Sequence, residues 1–484
     1  MSIFTAGQLQ TWSGGRWRGP APGCVRSFSS DTRQLPPGAC FVALRTEKRD
    51  GHAFLATAAA AGARAALVEC FNPEVIVPQL VVSEDGGGVL GALQRIAASH
   101  RLRFQAPVLG VTGSAGKTST KDLLAAMLGP SGFATDGNLN NFLGVPLMLL
   151  KASPGRHRAG VVIEAGMSLP GEMDALARTI QPDVGIVTNV LPAHLEGVGT
   201  LEDVAREKAA LLRHVRPGGA VVFPAPLLGY AAFRDLPARS FPVEFQGIAG
   251  PGGVGREGRG GASFAAGQAG KDIRAGIVRA GLSPVPDGGG THIRLALQPL
   301  SREAGTLDFL IPECPEGMVR NAVLAAVAAV LAGVPLGNIR AAMASWRPSA
   351  RRGEIVMRDG RLFYVDCYNA NPASMLDAAR AFDRRTEGDP SRVLVLGGMN
   401  ELGPQSAALH RETGAALPLR AGDSLVLFGG DAPDLGEGAA RNGFPRQSIH
   451  VAKDIETVRA LVAAFPGPVF LKGSRGRALE RVLA

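Results

Sequence analysis

The chain has 484 residues, 46% of them hydrophobic, with a net charge of +9, which is the composition of a globular protein of about three domains at ~150 residues each. Its longest apolar stretch, Ala322 to Leu336, is broken by Gly333 and Pro335 and is shorter than the ~20 residues a membrane span needs; the opening MSIFTAGQLQTWSGG lacks a secretory signal's basic start and apolar block, so a cytoplasmic protein without a membrane span is expected. Aromatic residues are only 5% and basic ones are dispersed, which argues against a nucleic-acid partner, while Cys24, Cys40, Cys70, Cys314 and Cys367 form no C-x-x-C pair and read as reduced core thiols rather than zinc ligands.

In chain order, residues 1–104 mix strand-like pieces (Cys40 to Leu44, Ala65 to Glu69, Gln79 to Ser83) with helical ones (Phe54 to Ala61, Val89 to His100), which predicts a small α/β domain. Over residues 105–347 the strands Val108 to Val111, Val161 to Glu164 and Val184 to Thr188 alternate with helical patterns, as in a parallel sheet. Functional groups gather at the carboxyl ends of such strands. The stretch Gly247 to Gly270 is so glycine-rich that it reads as a mobile surface loop. Residues 348–484 carry Val393 to Leu396, Ser424 to Phe428 and Val469 to Leu471 between helices, predicting a second doubly wound unit. The fold class is therefore α/β in three domains: a central P-loop parallel-sheet ATPase domain flanked by a small N-terminal α/β domain and a C-terminal Rossmann-like domain.

The central domain opens on GVTGSAGKTSTKD, residues 110–122. An apolar strand precedes it, and Leu123, Leu124, Met127 and Leu128 share one helical face after it. Backbone amides of Gly113, Ser114, Ala115 and Gly116 and the helix start at Lys117, Thr118 and Ser119 can cradle phosphates; Lys117 reaches the outer phosphates and the Thr118 hydroxyl can bind magnesium. The strict pattern places its first glycine at position 111, where this chain has Val111. Strand order brings two further groups to the same sheet edge: Glu164, suited to magnesium as a carboxylate, and His194, just past VGIVTNV. Only eight lysines stand against 43 arginines, so a retained lysine marks a place where a compact or reactive amine is needed.

T-G-x-x-G-K-T followed by E-A-G-M, T-N-x-x-x-A-H and a lysine fourteen positions later, Lys208, resembles the Mur ligase family. The resemblance implies ATP as cosubstrate and two Mg2+ ions, held by Thr118, Glu164, His194 and a Lys208 carbamylated by carbon dioxide, with Lys117, Glu164, His194 and Lys208 as the catalytic set. GNLNNFLGVPL (137–147), DCYNANPASM (366–375), LGGMNELG (396–403) and LKGSRG (471–476) are similar to the family's signatures for joining D-alanyl-D-alanine to a UDP-N-acetylmuramoyl-tripeptide. Asn140 and Asn141 are then expected at the muramoyl peptide, and Ser30, Asp31, Thr32 and Arg33, beside PPGACFVAL and DGH, at the uridine diphosphate. Tyr368, Asn369 and Asn371 are expected at substrate, and Asn321, Arg352 and Asp366 at the nucleotide. The family's His-Asn pair upstream of Asn321 is replaced by Gly317 and Met318. A monomer whose third domain closes over the loop to exclude water is expected; an open form would hold third-domain groups away from Lys117.

Overall fold

A computed structural model describes residues 2–192, 195–247, 276–285, 289–300 and 305–483. His194 and residues 248–270 of the glycine-rich stretch lie outside these. Three larger sheets follow one another along the chain. The first holds β1 (Arg16–Arg18), β2 (Ser27–Ser29), β3 (Ala39–Val42), β4 (Ala65–Val68) and β5 (Gln79–Val81) in the order β1-β5-β4-β3-β2. Strands β2 to β5 run parallel, and every residue of β3 and β4 is buried, the continuous apolar reading of a sheet covered on both faces.

Helix α1 (Gly88–Arg101) buries Val89, Leu93, Ile96 and His100 along one stripe. Its last residue ties the first unit to the next: the fully buried Arg101 donates from Nε to the Ile180 and Gln181 carbonyls (both 3.0 Å) and from Nη2 to Asp183 Oδ2 (2.7 Å). One apolar cluster runs from Phe4 and α1 to one face of the middle sheet, so these two units share a core.

The middle sheet comprises β6 (Val108–Thr112), β7 (Gly132–Ala134), β8 (Gly160–Glu164), β9 (Val184–Val187), β10 (Ala220–Pro224), β11 (Arg239–Gln246), β12 (Val278–Pro284), β13 (Thr291–Ala296) and β14 (Thr306–Ile311). Their order is β7-β8-β6-β9-β10-β11-β12-β13-β14. Strands β6 to β12 pair in parallel, as the alternation of strand and helix predicts, but β12, β13 and β14 close the sheet as an antiparallel ribbon. Helices α2 (Lys117–Leu128), α3 (Gly144–Lys151), α4 (Leu201–Arg213) and α5 (Glu316–Leu331) flank it. Helix α5, apolar nearly all round, is buried from Met318 to Ala329 apart from Arg320, which is where the longest apolar stretch of the sequence begins. Among the described residues no helix is long and apolar enough to cross a membrane.

The third sheet orders β15 (Glu354–Arg358), β16 (Arg361–Asp366), β17 (Val393–Gly397), β18 (Ser424–Phe428), β19 (Ile449–Ala452) and β20 (Val469–Lys472) as β15-β16-β20-β17-β18-β19. Only β15 is antiparallel. Return of the last strand between β16 and β17 is the doubly wound topology, and helix α6 (Pro372–Arg385) connects those two strands. All five cysteines are free; Cys40 and Cys367 are core thiols as expected, whereas Cys70 is exposed.

Candidate functional site

Two glycines shape the turn between β6 and α2. Gly113 has φ +151° and Gly116 φ +80°; a Cβ on Gly113 would lie 1.8 Å from Thr188 Oγ1, and one on Gly116 2.2 Å from Asn321 Nδ2. Val111 is still inside the strand, paired with Glu164 and Ile186, so the turn begins two residues later than the strict pattern and needs no glycine there. The segment after β9 holds the loop from below: Ala115 N donates to Asn189 Oδ1 (2.9 Å), Thr188 Oγ1 donates to the Ala115 carbonyl (2.5 Å), and the Ser114 hydroxyl bonds the backbone of Leu191. This leaves a preformed concavity of backbone at a helix N-terminus, the geometry that receives anionic phosphate.

Lys117 donates from Nζ to the Gly113 carbonyl (2.8 Å). Burial lowers its pKa from the ordinary lysine value, Glu164 opposes that shift and Arg352 adds to it. The Thr118 hydroxyl accepts from Arg352 Nη2 (3.0 Å), and Arg352 lies 4.0 Å over the Tyr368 ring. Third-unit groups therefore stand against the phosphate loop, in the closed arrangement rather than the open one.

Glu164 ends β8 beside β6 and is 2% exposed. Its N–H donates to Thr135 Oγ1 (3.0 Å) and its Oε1 accepts from Asn140 Nδ2 (2.7 Å), while Oε2 is buried with no hydrogen-bond partner. A buried carboxylate oxygen in that state is costly unless a cation meets it. Lys208 lies on α4 and is 1% exposed; burial first, and the Lys117 charge second, push its pKa well below that of an ordinary lysine. Among the described lysines, Lys121, Lys208 and Lys472 are buried and Lys117 is half-buried. Among the described residues no three His, Cys, Asp or Glu side chains cluster as a ready-made metal site.

In the third unit, Asp366 and Lys472 end neighbouring strands in register. Lys472 Nζ donates to Asp366 Oδ2 (2.8 Å) and to the Asn369 carbonyl (3.0 Å), fixing the turn that carries Tyr368 and Asn369. Three residues expected at the substrate have local partners for their amide oxygens. The Asn371 Oδ1 accepts from Ser374 N (2.9 Å) as the cap of α6, and the Asn141 Oδ1 accepts from Gly144 N (2.9 Å) at the start of α3. Asn369 Oδ1 accepts from the next residue's N–H (2.9 Å).

A cleft of about 1120 Å³ takes in the loop from Ser114 to Ser119 together with Asn140, Asn141, Glu164, Asn321, Arg352, Asp366, Tyr368, Asn369 and Asn371. Residues from Ser30 to Arg33 and Lys208 are not among its walls. Asp31 instead caps the turn Thr32–Gln34 and accepts from Arg33 Nε (2.9 Å) and Nη2 (2.6 Å); hydrogen bonding to Arg33 pulls its carboxyl down to about 2. The first unit reaches the cleft through Leu44, Arg45, Thr46 and Leu90. Arg45 pairs with Glu84 (3.0 Å) and Asp50 (3.3 Å). Thr188 and Asn189, both cleft-lining, open the T-N-x-x-x-A-H motif but were given no role in the site; Arg45 and Asp377, also cleft-lining, carry no motif signal, and Arg45 could have been found only by its nearness in sequence to Asp50–His52.

The family description for the Mur ligase middle domain matches residues 111–238, and that for the Mur ligase glutamate ligase domain matches residues 351–475. UDP-N-acetylmuramoyl-tripeptide--D-alanyl-D-alanine ligase of Escherichia coli (strain K12) is 30% identical over 488 residues, spanning 100% of this chain and 98% of that protein. The Bacillus subtilis (strain 168) protein of the same name is 28% identical over 95% of this chain and 92% of its own length. Among solved structures, MurF from Acinetobacter baumannii superposes with a TM-score of 0.80 at 28% identity, covering 100% of this chain and 98% of that one. The fold is also that of MurF from Thermotoga maritima in complex with ADP, at a TM-score of 0.73 and 24% identity over 95% and 96% of the two chains.

Proposed function

The chain belongs to the Mur ligase family, and on that premise we propose that it joins D-alanyl-D-alanine to UDP-N-acetylmuramoyl-tripeptide at the expense of ATP, a step in making the peptidoglycan precursor. Amide formation from a free carboxylate in water is uphill, so the carboxylate must first be activated. The terminal phosphoryl group of ATP passes to the peptide carboxylate, giving an acyl phosphate and ADP. The dipeptide amine then attacks the carbonyl, and phosphate leaves with the amide formed. A cytoplasmic location follows from the need for ATP, and every group named is carried on one chain, as a monomer allows.

The observation that carries this reading is the buried Glu164 whose Oε2 has no partner, at the strand end beside the Lys117 loop. Two anions must approach in the first step. Loop amides and the α2 N-terminus receive the phosphates, and the Lys117 ammonium offsets their charge. A carboxylate oxygen and a hydroxyl suit a hard divalent cation, so Glu164 and Thr118 would hold Mg2+, which supplies charge neutralisation at the phosphates. Lys208 fits carbamylation because burial favours the neutral amine, the form that adds carbon dioxide with loss of a proton; with His194 it would hold a second Mg2+. Arg352 and Asp366 serve the nucleotide from the third unit, with Asn321 against the loop. Asn140 orients Glu164. For Ser30 to Arg33 we retain a place at the uridine diphosphate, for Asn140 and Asn141 a place at the muramoyl peptide, and for Tyr368, Asn369 and Asn371 a place at the acceptor.

The test is phosphate release by the purified chain with ATP and Mg2+. Release that requires both the UDP-muramoyl-tripeptide and D-alanyl-D-alanine, with the UDP-muramoyl-pentapeptide as product, is expected; release without the dipeptide, or no ligated product, overturns the assignment.

A further inference from the structure

Helix α5 begins at Pro315 and Glu316 with no capping side chain from its own segment. Its first amides are satisfied across the unit boundary: Glu316 N donates to Asp377 Oδ1 (3.0 Å) and Gly317 N donates to Asp377 Oδ2 (2.9 Å), with Asp377 standing on α6 of the third unit. A carboxylate at a helix N-terminus is favoured both by these orphan donors and by the helix dipole. The fit depends on Gly317, since a Cβ there would lie 2.7 Å from Asp377 Oδ2. One turn further along α5, the amide of Asn321 rests against Gly116 of the phosphate loop. Arg385 on α6 adds an ion pair to Glu313 (2.5 Å) just ahead of α5.

These contacts form an unbroken chain from the third unit to the phosphate loop: α6, Asp377, the α5 N-terminus, Asn321, Gly116. We propose that Asp377 is a positioning residue that couples closure of the third unit to nucleotide binding through α5, and that Gly317 is the residue that admits it. Coupling of this kind is reciprocal: nucleotide in the loop draws the third unit closed, and closure tightens the nucleotide. The proposal rests on the ligase reading for its meaning, but its test does not require turnover.

The full-length chain is titrated with ADP and Mg2+ while energy transfer between dyes on the middle and third units reports closure. In the unsubstituted protein, ADP binding is expected to shorten the dye distance. Asp377→Asn sets an NH2 group against a backbone N–H, and Gly317→Ala sets a methyl against Asp377. Each is expected to weaken ADP binding about tenfold, within the usual range for linked sites, and to diminish the closure response together with it. Because both break one contact, the double variant is expected to be no weaker than the worse single one. A merely structural role would lower the melting temperature while leaving the ADP affinity and the closure response of the folded protein unchanged. ADP affinity within twofold of the parent in either folded variant, or losses that add in full, overturns the coupling; Gly317→Ala, which removes no donor or acceptor, decides the matter if Asp377→Asn does not fold. A parent protein that binds ADP and closes yet ligates nothing overturns the ligase reading alone.

Discussion

Glu164→Gln removes a charge and keeps the shape. The glutamine oxygen can still accept from Asn140 Nδ2 at the present 2.7 Å, and the backbone N–H still reaches Thr135, so the strand end holds its place. Where Oε2 now lies buried and unpartnered, the variant puts an NH2 without an acceptor, which costs about 1–3 kcal/mol. Against that stands relief from burying a carboxylate oxygen with no hydrogen bond, a penalty of similar size. Stability is therefore expected to change by less than about 1 kcal/mol. Catalysis has no such compensation. Losing one preorganised charge at the phosphates costs about 3–4 kcal/mol, or 10²–10³ in kcat. The assay is ADP release at saturating ATP, peptide and dipeptide over a range of Mg2+ concentrations, paired with a denaturant melt. Turnover within about threefold of the parent, less than about 0.7 kcal/mol, would refute the assignment of Glu164 to the ion and phosphates.

Lys208→Ala is expected to lower turnover by about 10²–10³, with formate or another short carboxylate restoring part of it; Lys208→Arg, which cannot take up carbon dioxide, is expected to be as impaired and not to be rescued. Full activity of either in the steady-state assay would exclude the second ion site. His100 supplies a pH-dependent prediction. Its Nε2 bonds the Ala152 carbonyl (3.0 Å), its Nδ1 is buried without a partner, and burial lowers its pKa from the ordinary 6.5 to about 4. Because the folded value is the lower one, the stability owed to the neutral ring is complete above pH 6.5 and is lost as pH falls through 4, roughly 3 kcal/mol in all. Denaturant midpoints between pH 7 and pH 4 are expected to fall less steeply for His100→Gln than for the parent; parallel profiles would contradict this.

Much of the catalytic edge was legible because apolar runs and glycines carry one meaning each. Val108 to Thr112 is fully buried, so it reads as a parallel strand, and Gly113 and Gly116 stand where a side chain would collide with Thr188 or Asn321. Asparagines were ambiguous, since one amide can meet a substrate or cap a helix. Asn140 bonds Glu164, Asn141 accepts from the Gly144 amide where α3 starts, and Asn371 caps α6, and nothing local in the sequence separates these uses. The antiparallel ribbon was readable in principle from the alternation in TLDFLI, whose residues are exposed and buried with period two. Asp377 was out of reach of sequence reading: its partners are backbone amides 60 and 61 residues away, and a helical aspartate otherwise reads as a solvated face.

The acyl phosphate is tested most directly by following oxygen. With both carboxylate oxygens of the tripeptide's terminal group labelled with 18O, ligation is run with ATP, Mg2+ and D-alanyl-D-alanine, and the released phosphate is analysed by mass. Transfer of one labelled oxygen from the carboxylate to each phosphate is expected; unlabelled phosphate accompanying full amide formation would contradict the mechanism.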